Sequence, residues 1–153
     1  MRRTRPILVF VLAAIMLAVP SVALANKRIY SADLLNAAGA HKGSALVGTN
    51  QNGTMRFQVV ARSLSSPVTA AHIHSAEDGS ILITLCGSGP GIPACTPAPG
   101  DPNSVLVTGN ITPAMMNASG GTINGLLVAE MTYVNVHTTV NPGGEASGTL
   151  FAQ

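Results

Sequence analysis

Met55-Arg56-Phe57-Gln58-Val59-Val60-Ala61-Arg62 decides the fold class of this chain. Successive side chains of a strand point to opposite faces. Met55, Phe57, Val59 and Ala61 therefore share one buried face, and Arg56, Gln58, Val60 and Arg62 share the other. Asn52-Gly53, just ahead, is a hairpin-turn dipeptide, which makes Ser44 to Val47 the preceding strand. The same reading gives strands at Tyr30 to Leu35, at Thr69 to His74 (ended by Asp78-Gly79), through Ile81, Ile83 and Leu85, and at Val105 to Val107. Tyr133 to Thr138 and Thr149 to Ala152 close the chain, with the turn residues Asn141-Pro142-Gly143-Gly144 between them. Many short strands separated by turn signals predict an all-β sandwich or barrel.

Two segments depart from period 2. Thr112-Pro113 is an N-cap and first helical residue for one turn through Met116. Ile123, Leu126 and Leu127, followed by Met131, have helical spacing, so a short helix is expected near Thr122 despite Gly125. No internal repeat is visible.

The N-terminus reads as an address. Arg2, Arg3 and Arg5 precede an apolar run from Ile7 to Val19, then Pro20 and the small-residue site Ala23-Leu24-Ala25. This is the pattern of a secretory signal peptide over residues 1–25, with cleavage before Asn26. The apolar run would rise about 20 Å as a helix, short of the roughly 30 Å of a bilayer core. No later stretch is long and apolar enough to span, so no membrane span is expected after cleavage. The remaining domain, residues 26–153, is expected to be secreted or periplasmic.

The whole chain carries a formal charge of +2, but its three leader arginines account for that excess. Five basic and six acidic residues follow Ala25, so the working domain stands at −1. Charged residues are 9% and aromatics 3%, with no Trp, which argues against a nucleic-acid partner. No G-x-S-x-G elbow, P-loop, dinucleotide fingerprint or facing carboxylate pair occurs, so no catalytic residue is assigned and no enzyme is expected.

Cys86 and Cys95 enclose eight flexible or turn-forming residues. In an exported protein such a pair is expected to form a disulfide at the base of a Gly/Pro-rich loop that runs on to Asn103. The alternative, a thiol metal ligand or redox pair, lacks the C-x-x-C spacing. Three N-x-S/T sequons, at Asn52, Asn110 and Asn117, decide nothing.

His72-Ile73-His74 is the sharpest chemical feature. On a strand both imidazoles face one way while Ile73 enters the core. In the closing strand Val134 and Val136 point inward, so Asn135 and His137 point outward. If the two strands are neighbours, His72, His74 and His137 form a three-imidazole site for copper or zinc with one open position. Sharing one ion needs ring nitrogens within about 4 Å of one another. A plain structural reading stands beside it. The same imidazoles can bond loop carbonyls or Asn135, or hold Glu77 or Asp78 in a tight turn. His41, in a Gly-flanked segment, is a candidate fourth ligand.

Ala71-His72-Ile73-His74 with Gly79, and Tyr133 to Thr138 through Asn141-Pro142-Gly143-Gly144-Glu145 to Gly148, resemble the two signature segments of CHRD domains, the modules named after chordin. The resemblance runs from about Ile29 to Ala152. It departs at Glu130-Met131, where the family usually has a Gly, at Ala146-Ser147, where it usually has Ile-Arg, and at the Cys86–Cys95 loop, which looks like an insertion. The resemblance implies an immunoglobulin-like or superoxide-dismutase-like sandwich or barrel, a binding or structural role outside the cell, and no general enzymatic activity. Four histidines cannot furnish a copper site and a separate bridged zinc site, and no Arg stands near His137 to steer an anion, so dismutase chemistry is not expected. The expected partner is an extracytoplasmic protein or a metal ion.

Overall fold

The computed structural model describes residues 28–49 and 54–153. The leader, its cleavage site and the Asn52-Gly53 turn lie outside the described residues. The strands are β1 (Ile29–Leu35), β2 (His41–Thr49), β3 (Met55–Ala61), β4 (Val68–Ser75), β5 (Ile81–Cys86), β6 (Val105–Asn110), β7 (Thr132–Thr138), β8 (Ala146–Thr149) and β9 (Phe151–Ala152). One helix, α1 (Gly120–Val128), and a 3-10 turn at Pro113–Met115 complete the elements of the described residues. The fold is all-β, as the alternation requires.

All strands are antiparallel and join in the order β5-β4-β7-β8-β1-β2-β3-β6, with β9 added to β1. The two end strands feed the same core: Ile83 and Leu85 of β5 pack in one cluster with Val105 and Val107 of β6. The sheet therefore curls around a single interior. Phe57, Val59 and Ala61 are buried while Arg56 and Gln58 are exposed, which is the period-2 face read from β3. Each fully buried Leu, Ile or Val contributes roughly 1.5–3 kcal/mol. That sum is what offsets the entropy of ordering so many short segments.

The period breaks in β5. Ile73 pairs with Ile83 and His74 with Ile81, leaving Leu82 as an extra residue. This β-bulge turns both Leu82 and Ile83 inward and leaves Ile81 on the surface. The helix begins earlier than its apolar spacing indicates, because Ser119 caps it: Ser119 Oγ accepts from Thr122 N at 3.2 Å. The helix is followed by Glu130 at φ +58°, a left-handed position that favours Gly. The closing segment is two strands instead of one. β8 pairs with β7, and β9, beyond buried Leu150, pairs with β1.

Cys86 and Cys95 are disulfide-bonded. The bond ties the loop after β5 to the strand beside Ala71. No helix among the described residues is long and apolar enough to cross a membrane.

Candidate metal centre

The β4–β7 ladder brings the histidines together. Ala70 lies opposite His137, His72 opposite Asn135, and His74 opposite Tyr133. Directly opposed residues share a face, so all of these point outward together. Ala71, Ile73, Val134 and Val136 point the other way and are fully buried in the core. One face of the strand pair thus anchors the site while the other carries it.

One ring nitrogen from each of His72, His74 and His137 can be chosen so that the three lie within 4.8 Å of one another. His72 Nδ1 is 3.0 Å from His137 Nε2. The site is partly closed: His74 is buried, and His72 and His137 are half-buried.

Two turns hold the rings. His74 Nδ1 lies 2.9 Å from the Gly79 carbonyl, and His137 Nδ1 lies 2.9 Å from the Pro142 carbonyl. A carbonyl only accepts, so Nδ1 carries the proton on both rings and each Nε2 keeps a lone pair. This is the tautomer that a metal-ligating histidine takes when its far nitrogen is fixed by a backbone acceptor. His74 Nε2 is buried and has no hydrogen-bond partner. Leaving such an atom unpaired costs about 1–3 kcal/mol. Because His137 Nε2 keeps its lone pair, His72 Nδ1 is the donor of the 3.0 Å bond between them, and an ion entering the cluster would replace that bond. An ion shared by three nitrogens at about 2.0–2.1 Å needs spacings near 4 Å or less, so the set must contract by about 1 Å at its widest.

The surroundings favour neutral rings. Burial takes the His72 pKa down from 6.5 to about 4, and the charges that His137 and His74 can carry push it the same way. Burial also lowers His137; the Pro142 carbonyl opposes that shift, and His74 adds to it. Neutral imidazole is the form that binds metal.

A shell behind the histidines fixes the turns. Asn135 Nδ2 donates to the Gly143 carbonyl at 3.2 Å. Gly144 stands at φ +120°, and a Cβ there would overlap the Asn135 side chain. Glu145 accepts from Ser65 N at 2.6 Å, Ser65 Oγ at 2.7 Å, Thr138 Oγ1 at 2.7 Å and Asn141 Nδ2 at 3.1 Å. Burial pushes its carboxyl pKa up, but these hydrogen bonds together outweigh that and hold it below the usual carboxylate value. Tyr133 stacks on His74 with centroids 5.1 Å apart and planes 13° from parallel.

The predicted trio is therefore one cluster, and its supports match the loop-carbonyl alternative as well. His74 bonds through Nδ1 and keeps Nε2 for a ligand, whereas His137 is bonded through both nitrogens, to the Pro142 carbonyl and to His72. His41 does not join. It opens β2, is exposed, and lies 3.5 Å from Asp33, outside the cluster. Glu77 and Asp78 do not hold the histidines either: Glu77 N donates to Ser75 Oγ, and Asp78 Oδ1 accepts from Ser80 N. Tyr133, Glu145 and the two carbonyls join the site beyond the histidines that the spacing marks. Tyr133 was findable, since it alternates with Asn135 and His137. The carbonyls were not, because a backbone oxygen has no side-chain identity.

A family model described as the CHRD domain matches residues 31–150. No curated protein and no solved structure matches the chain.

Proposed function

This chain belongs to the CHRD domain family, and from that premise we propose that it is an extracytoplasmic module that binds a single copper ion through His72, His74 and His137. Zinc is the second candidate. Copper ranks first because imidazole donors follow the usual divalent order, in which copper binds most tightly. The role is binding or structural and involves no catalytic turnover. Export is supported by the leader pattern and by the Cys86–Cys95 disulfide, which belongs to an oxidising compartment.

The observation that carries the reading is the buried, partnerless Nε2 of His74, set in one cluster with His72 and His137 whose candidate ligand nitrogens lie within 4.8 Å of one another. A second reading, a metal-free module that docks an extracytoplasmic protein, draws on the carbonyl bonds that already hold His74 and His137.

Metal analysis separates the two. Purified protein exposed to copper and desalted should retain one equivalent, and the His72→Ala/His74→Ala double variant should retain none. Equal uptake by both proteins would sink the metal reading and leave the docking module.

A further inference from the structure

Four aromatic residues lie among the described residues: Tyr30, Phe57, Tyr133 and Phe151. Tyr30 and Phe57 are spent in the core. The other two line the same open cleft, of about 820 Å³, on the outer face of the sheet where β1 meets β8 and β9. Phe151 is 52% exposed there, and Asp33, Ser31, Thr149 and Gln153 share the walls.

We propose that this cleft binds a neutral saccharide. An aromatic ring offers a flat apolar surface of the size of a sugar's C–H face, and the ring's edges leave room for polar groups beside it. Hydroxyl, carboxylate and amide side chains around two such rings supply the few convergent polar contacts that fix a ligand's orientation. The Asp33 side chain is 80% exposed, and although His41 Nε2 lies 3.5 Å from its Oδ1, the carboxylate keeps room to accept from hydroxyls. Asp33 is also the sole charged residue of the lining, with no Lys or Arg beside it. Phosphates and acidic sugars need such cations, so the lining selects against them. The cleft, at about 820 Å³ and open to solvent, has room for more than one sugar ring.

Tyr133 belongs to both sites, since it lines the cleft and stacks on His74. The saccharide inference nevertheless stands on the cleft alone and needs no ion.

The test uses metal-free protein, so that its failure and the failure of the copper reading remain distinct. With two tyrosines and no Trp, intrinsic fluorescence reports Tyr133 against a core Tyr30. Titration with cellohexaose and with chitohexaose, checked by calorimetry, should give saturable binding for at least one. Phe151→Ala, at an exposed position, should keep the native circular dichroism and weaken that binding by about tenfold, equivalent to roughly 1.4 kcal/mol. Asp33→Asn should weaken it by a smaller factor. No saturable binding of either oligosaccharide, unchanged affinity in Phe151→Ala, or stronger binding of polygalacturonate than of both neutral probes would overturn the proposal.

Discussion

On β3 the polar side chains that face away from the core, Arg56 and Gln58, are exposed, with the apolar Val60 beside them half-buried; on β7 the equivalent positions hold Asn135, which is buried, and Tyr133 and His137, which are half-buried. Both strands sit in long antiparallel ladders and both bury alternate residues. What differs is what lies above them. The turn that carries Pro142 and Gly143 folds back over β7, and the Gly79 turn closes over His74, so polar side chains there bond to backbone instead of water. β3 is flanked along its edges by β2 and β6, and Arg56 and Gln58 on its outer face stay exposed. A polar position in an alternating strand thus has two fates, wet or roofed, and only the roofed one concentrates imidazoles out of water.

The largest test of that contrast removes the fit of the roof. Gly144→Ala should cost more than about 2 kcal/mol in urea denaturation, because the new Cβ overlaps Asn135 at a left-handed φ. Gly143→Ala has open space around it and should change stability by less than about 0.5 kcal/mol. Equal effects would mean the turn is not packed on β7.

Next in size is the pair of outward amides. Asn135→Ala should cost about 1–2 kcal/mol, since it removes a buried donor to Gly143. Gln58→Ala on the wet face should stay within about 0.5 kcal/mol. Similar values for the two would erase the distinction between the faces.

Titration of the roof is a smaller effect. Glu145 is held below its ordinary carboxylate value of 4.5, so its stabilisation is complete above that pH and is lost as pH falls through the lower folded value. Thermal melts of Glu145→Gln should show a lower Tm than wild type at pH 7 and a shallower decline on acidification. His72 works in the same direction in a higher window. Its folded pKa near 4 lies below the ordinary 6.5, so the unfolded chain takes the proton first, and stability declines as pH falls from 6.5 toward 4. Copper retention should accordingly persist at pH 6 and disappear near pH 4, as followed by electron paramagnetic resonance. Loss already by pH 6.5 would contradict neutral, desolvated rings.

The smallest expected effect lies outside both faces. Glu130→Gly relieves a left-handed residue after α1 and should stabilise the protein by up to about 1 kcal/mol. It also forfeits the weak bond from Ala152 N to Glu130 Oε1. A net loss in denaturation midpoint would show that this bond outweighs the backbone strain.

The strands were legible because a two-residue period is a local property. Phe57, Val59 and Ala61 declare an inner face without reference to any other strand. The bulge at Leu82 was hidden, since it depends on how β5 meets β4 and not on β5 itself. The early start of α1 was marked by a residue, Ser119, whose capping role shows only when the first turn is in place.

By itself, the sequence determined an all-β chain, a bonded cysteine pair and three outward histidines, two on one strand and one on another. Alternation, spacing and redox chemistry act within a few residues or a single loop. Only the tertiary structure decided that β4 and β7 are neighbours, that His41 stays apart with Asp33, and that Gly79 and Pro142 fix the tautomers. It also decided that the two aromatic rings left over from the core share one cleft. Those outcomes depend on strand register and on backbone oxygens brought together across 65 positions of sequence, as between His72 and His137, and no local pattern encodes them.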